Sequence, residues 1–312
     1  MTFPDILMDI PLIFTEGAVA ERLRREFSVQ IDPLVAHSAL IYQTESRAIL
    51  RSIYKQYIDS VKLRNAPILI FTPTRRANPE RIALSRLVDR DINRDCARFL
   101  IDIRNEYSEY KHSIYIGGIM GCKGDAYKAE EALQSHEAFN FHCTQAEKLT
   151  DGGVDFLFGA TLPATSEAIG LAMAMARTGK SYIVSFVIRP NGTLLDGISL
   201  HDAISRIDNT VTPRPACYMV NCVHPSVLIS ALTVENNCSD LVRQRLIGIQ
   251  ANTSSKSPEE LDGSSDLMVE DDVEELVDKM VQLRKEHHLR IFGGCCGTDN
   301  QHIQQLVERI PL

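Results

Sequence analysis

Tryptophan is missing from this chain, and aromatic residues together make up only 6% of it. That absence removes one common means of caging a quaternary ammonium group and leaves any such task to Tyr and Phe. There is no run of the roughly 18 apolar residues that a membrane span needs, so no spanning helix is expected. Basic residues are in the minority: 33 Lys and Arg stand against 41 Asp and Glu, a net charge of −8, and no basic stripe stands out. Nucleic-acid binding is therefore disfavoured, and the acidic balance speaks to solubility more than to substrate. The start, MTFPDILMDIPLIF, carries Asp5 and Asp9 and lacks the basic residues and small-residue cleavage site of a secretion signal. A cytoplasmic location is the default expectation. In that compartment the eight cysteines predict packed thiols or chemistry, not structural disulfides.

What is present is a regular alternation. Short apolar runs fall at 11–14 (PLIF), 66–71 (APILIF), 113–118 (SIYIGG), 154–159 (VDFLFG), 182–188 (YIVSFVI), 216–221 (ACYMVN), 245–250 (RLIGIQ) and 289–294 (LRIFGG). Longer amphipathic or polar stretches separate them, among them a charged helix expected over 79–107 and one ending near Lys148. Val273, Leu276, Val277, Met280 and Val281 recur at helical spacing and form one apolar stripe. The strand runs are continuously apolar, as in a parallel sheet covered on both faces. Eight strand-then-helix units in 312 residues predict an α/β fold, a single-domain (β/α)8 TIM barrel over 1–312. A doubly wound open sheet is the second choice. The polar stretch at 252–266, NTSSKSPEELDGSSD, reads either as a lid over the catalytic face or as a solvated connection.

In such a barrel the active site lies at the C-terminal ends of the strands. That rule sorts the cysteines. Cys222 follows the sixth strand, Cys295 and Cys296 follow the eighth, and Cys122 follows the third. Cys217 begins the sixth strand, at the opposite end. No local zinc-ribbon spacing unites Cys222 with a pair 73 positions further on (295 − 222), but a closed barrel brings those strand ends together. Neighbouring side chains in a strand point to opposite faces, so the chain must leave extended geometry at the pair. Gly293, Gly294 and Gly297 permit that. Three thiolates suit Zn²⁺ with a fourth position open to a substrate thiol. On spacing alone, inert buried cysteines remain the alternative.

GGCCGTDNQHI (293–303) resembles the C-terminal signature of the homocysteine S-methyltransferase family, usually GGCCGT-x-P-x-HI, and VNC (220–222) resembles its other ligand motif. Fainter likenesses run through EGAVAERL (16–23), DPLVAHSAL (32–40), TPTRRAN (72–78) and GGVDFLFGATLP (152–163). The resemblance implies a zinc site of Cys222, Cys295 and Cys296. It also implies methyl transfer from a small donor to homocysteine or a related thiol. It places Glu16, Gly17, Thr161, Asn221 and Asn252 beside the substrate. The partners implied are a small-molecule thiol and a methyl donor, with no nucleic acid and no membrane. The chain ends sixteen residues after Cys296 (312 − 296), which predicts a free donor such as S-methylmethionine, S-adenosylmethionine or a betaine.

Two positions depart from the family pattern. Glu16 stands where an early Asp is usual, and Ala160 replaces the Glu of ETxP. Both family carboxylates grip the homocysteine ammonium; losing one such contact costs roughly 2–5 kcal/mol. Arg75 and Arg76 lie just beyond the second strand, where an aromatic residue is usual at the first position. One of them would suit an anionic group on a different substrate, or both are solvated charges at a helix start. Gly118, Gly121 and Gly124 fit no phosphate-loop pattern and read as a loop. Cys122 reads as packed, His224 as support for a helix start, and His287 and His288 as charges at a helix end.

Overall fold

Alternation along each strand determines which side chains line the barrel and which face the helices. In β2 (Ile68–Phe71), Leu69 and Phe71 point inward, while Ile68 and Ile70 pack outward. In β4 (Phe156–Leu162), Phe156, Phe158 and Ala160 point inward and Leu157 outward. The computed structural model of the chain describes residues 1–256 and 272–312. The other strands are β1 (Ile13–Thr15), β3 (Ile114–Gly121), β5 (Tyr182–Phe186), β6 (Cys217–Val223), β7 (Leu246–Ala251) and β8 (Ile291–Gly294). All pair in parallel in chain order, and β1 pairs with β8 to close the barrel. The expected (β/α)8 architecture is therefore the one observed.

Helices cover the outside. Among the described residues the α-helices are, in chain order, α1 (Phe3–Asp9), α2 (Ala20–Phe27), α3 (Thr44–Lys62), α4 (Pro79–Leu84), α5 (Ile92–Arg104), α6 (Ser135–Asp151), α7 (Thr165–Arg177), α8 (Leu200–Thr210), α9 (Pro225–Thr233), α10 (Asp240–Arg245), α11 (Val273–His287) and α12 (Asn300–Arg309). The stripe expected near the C-terminus is real: Leu276, Val277 and Met280 of α11 are fully buried. The helix expected over 79–107 is two helices. Ser85 ends α4 by donating to the Ile82 carbonyl while accepting from the Leu87 N–H, and α5 starts anew after Asp91. The sequence reading also missed α1. It closes the floor of the barrel, with the Phe3 ring stacked on Phe156 at 3.9 Å between centroids. With the floor plugged, the mouth at the strand C-termini is the side left for chemistry. No helix among the described residues is long and apolar enough to cross a membrane.

Two strands break their regular geometry at that mouth. The β4–β5 register shifts between Gly159 and Leu162, and the β6–β7 register shifts between Asn221 and Val223. Thr161 (φ 56°) and Cys222 (φ 57°) occupy these bulges in the left-handed region, which non-glycine residues rarely adopt.

Candidate metal centre

The Cys222 bulge turns its sulfur toward the β8 loop. The sulfurs of Cys222, Cys295 and Cys296 all lie within 4.8 Å of one another, and Cys222 Sγ is 3.5 Å from Cys296 Sγ. Cys222 is buried, Cys295 half-buried and Cys296 exposed, so the cluster opens toward the mouth. The glycines around the pair are needed for space. A Cβ on Gly293 would collide with Thr15, on Gly294 with Thr298, and on Gly297 (φ 82°) with Thr253. The loop is stitched to its neighbours: Cys295 N donates to Ala251 O at 2.6 Å, and Gly297 N donates to the Glu21 carboxylate at 2.5 Å. Burial raises the Glu21 pKa despite that bond.

The ionisations of the three thiols are linked. Hydrogen bonds from Cys295 and then Cys296 pull the Cys222 pKa well below that of an ordinary thiol. The same bonds push Cys295 and Cys296 upward, since each serves the Cys222 thiolate as a proton donor. A divalent cation would let all three ionise. The donor set fits one: tetrahedral Zn–S bonds of about 2.3 Å place sulfurs roughly 3.8 Å apart.

A fourth contact was not legible in the sequence. Tyr127, on the loop after β3, places its hydroxyl 2.9 Å from Cys222 Sγ. That loop is tethered by Glu167, a fully buried carboxylate near the start of α7. Glu167 accepts from Lys123 N at 2.7 Å and Leu133 N at 3.2 Å, and His142 Nε2 lies 3.0 Å from it. Nothing in the sequence marks Tyr127 or Glu167, because their roles depend on a loop fold.

The other expected residues gather at the same mouth with different occupations. Glu16 is buried; it accepts from Phe71 N at 2.9 Å, and burial raises its pKa well above the usual range. Gly17 packs against Tyr57 and Thr298. The polar atoms of Asn221 are committed within the protein. Its Oδ1 accepts from Thr161 N at 2.8 Å and Ser185 Oγ at 2.7 Å, and its Nδ2 donates to Thr161 Oγ1 at 2.6 Å. Asn221 thus bridges the two bulges. Asn252 is buried beside β6, its N–H on Val223 O at 2.9 Å. Ala160 is 1% exposed among the inner-barrel aromatics. His224 caps α9, its Nδ1 accepting from Ser226 N. His288 ends α11 in the left-handed region. Of the polar stretch at 252–266, residues 257–266 lie outside the described residues, so the lid reading has no structural counterpart here.

Residues 13–310 match the family model described as homocysteine S-methyltransferase. The chain belongs to that family. A curated relative, homocysteine S-methyltransferase YbgG of Bacillus subtilis (strain 168), is 24% identical over 187 residues. That match takes in 59% of this chain and 55% of YbgG, so the chain spans about half the length of the curated relative. The metallated crystal structure of the homocysteine methyltransferase MmuM from Escherichia coli superposes with a TM-score of 0.76 at 21% identity, covering 98% of both chains. Its oxidized form gives 0.77, also at 21% identity, over 97% of this chain and 98% of that one. These structures share the barrel fold of this family member.

Proposed function

We propose that this chain is a zinc-dependent S-methyltransferase that moves a methyl group from a small onium donor to homocysteine or a related thiol. The product would be methionine or the corresponding thioether, which would give the protein a place in methionine formation. The observation that carries the reading is the convergence of three sulfurs within 4.8 Å at the barrel mouth. Cys222, Cys295 and Cys296 would hold the ion, and a bound Zn²⁺ supplies stabilisation of the substrate thiol as thiolate. The chain's own residues do the rest. Asn221 holds both bulges, and Glu21 and Thr298 hold the β8 loop, so the sulfurs are positioned before substrate arrives. Tyr127 donates to Cys222 and moderates its charge. Glu16 offers a buried carboxyl that an incoming ammonium would ionise. In the transfer, a sulfur lone pair forms the S–CH₃ bond and the donor onium leaves as a neutral molecule with the bonding pair. A reducing, cytoplasmic setting would keep the thiols free.

The test joins metal content to turnover. Purified protein should hold about one zinc per chain, lost in Cys222→Ala, Cys295→Ala and Cys296→Ala variants. Mass spectrometry should detect methionine from homocysteine with S-methylmethionine, S-adenosylmethionine or a betaine. Zinc retained in all three variants would refute the ligand assignment, and no methylated thiol with any donor would refute the activity.

A further inference from the structure

A cavity of about 280 Å³ with a basic wall is connected to the cysteine cluster through Arg75, which lines it and whose charge acts on Cys222. Arg75 and Arg76, just beyond β2, and Arg81 of α4 line it together with Cys122 and the loop after β3. No side-chain hydrogen bond or ion pair within 4 Å engages any of the three guanidiniums among the described residues. Two carboxylates share the wall, and each is tied to its own loop: Asp125 accepts from Tyr127 N at 2.9 Å, and Glu131 accepts from Asp125 N at 2.8 Å. Three guanidiniums against two carboxylates leave the wall itself with an excess of positive charge, part of which Arg75 directs at Cys222. Crowding adds to this, since burial first, then Arg81 and Arg75, depress the Arg76 pKa.

Arg75 is not a loose surface charge. Its carbonyl accepts from Gly121 N at 3.1 Å, and its side chain lies along the end of β3, where a Cβ on Gly121 would fall 2.9 Å from Arg75 Cγ. The absence of a side chain at Gly121 makes room for the arginine stem. A guanidinium fixed in this way, free of partners and facing a cavity, is pre-organised for a planar anion.

We propose that this cavity holds a carboxylate of the acceptor, so that the acceptor is a thiol acid gripped at both ends: sulfur at the cysteine cluster and carboxylate at Arg75, with Arg76 and Arg81 completing the wall. The proposal rests on the methyltransferase reading for the thiol but not for the anion. Three guanidiniums repel an onium centre and attract a carboxylate. S-methylmethionine, S-adenosylmethionine and betaines carry a carboxylate as well, so the cavity is assigned to the acceptor by the electrostatic link of Arg75 to the thiol cluster, and the test omits the donor. With Ala160 in place of a carboxylate, the weight of recognition moves from the ammonium to the acid group.

The test is calorimetric and needs no methyl donor. Zinc-loaded protein is titrated with 3-mercaptopropionate, with neutral 2-mercaptoethanol and with thiol-free propanoate. The acid thiol should bind at least about tenfold more tightly than the neutral one, the range expected for charge-assisted hydrogen bonds. Arg75→Gln should shrink that preference, read as the ratio of the two thiols' affinities within the variant, to about twofold or less. An Arg76→Gln/Arg81→Gln double variant should shrink it partly, and unchanged melting temperatures exclude misfolding. Equal binding of the two thiols, or a preference that survives both variants, would overturn the proposal. Propanoate binding that depends on Arg75, with no thiol binding, would uphold the anion site and count against the methyltransferase reading. No binding of propanoate or of the acid thiol would refute the anion site.

Discussion

The Tyr127 hydroxyl lies 2.9 Å from the sulfur of Cys222, although 95 residues separate them in the chain. The contact joins the loop after β3 to the bulge in β6. It supplies Cys222 with a proton donor in addition to its two cysteine neighbours. In Tyr127→Phe, ionisation of the first thiol in metal-free protein should move up by about one unit, the worth of one hydrogen bond to a charge. A titration of ultraviolet thiolate absorbance reads this directly. An unchanged first ionisation would show that Cys295 and Cys296 alone hold the charge on Cys222.

Metal loading should release protons. In the metal-free cluster the Cys222 pKa is held well below that of an ordinary thiol, while those of Cys295 and Cys296 are raised by their bonds to Cys222, its charge and burial. Ligation needs all three ionised, so about two protons should leave per zinc near neutral pH. The sign follows: apparent zinc affinity rises with pH and weakens steeply on acidification. Calorimetry in buffers of different ionisation enthalpy counts the protons. Release of none would mean that the cluster is already fully ionised.

Gly297 and Gly179 form a matched pair for testing the β8 loop. Both have positive φ, 82° and 75°, but a Cβ on Gly297 would strike Thr253, whereas among the described residues none beyond its chain neighbours lies within 4 Å of one on Gly179. Gly179→Ala should cost about 1–2 kcal/mol, for the backbone alone. Gly297→Ala should cost roughly 2–5 kcal/mol, because overpacking adds to it, and should also weaken zinc binding. Urea denaturation and metal titration of the two variants make the comparison.

Glu167→Ala should loosen the Tyr127 loop from a distance. It strands the part-buried Lys123 and Leu133 N–H groups and the fully buried His142 Nε2. A loss of roughly 3 kcal/mol is expected for several unmet partners. Amide exchange should rise most over 122–133, and a uniform rise across the barrel would contradict the tether.

The split of the expected 79–107 helix shows where periodicity runs out. The stretch is amphipathic almost throughout, and the break between α4 and α5 is made at Ser85, which turns to extended geometry and caps both sides with its hydroxyl. The N-terminal plug was illegible for a related reason: seven residues, Phe3–Asp9, are too few for a helical period to stand out from noise. The convergence of Cys222, Cys295 and Cys296 was legible, because a fold that aligns strand ends leaves few other ways to unite these positions.

By itself the sequence determined the order of the barrel and its chemistry-bearing thiols. Continuous apolar strands spaced by amphipathic helices have few ways to bury both faces of a parallel sheet, and that constraint is local. Tertiary structure alone decided which way the sulfurs turn and what surrounds them. The bulges at Thr161 and Cys222, the Asn221 bridge between them, the Tyr127 contact and the Arg75 stem against Gly121 all depend on side chains from different strand ends meeting at the mouth. Such meetings follow from the register of the closed barrel, which no spacing along one strand records.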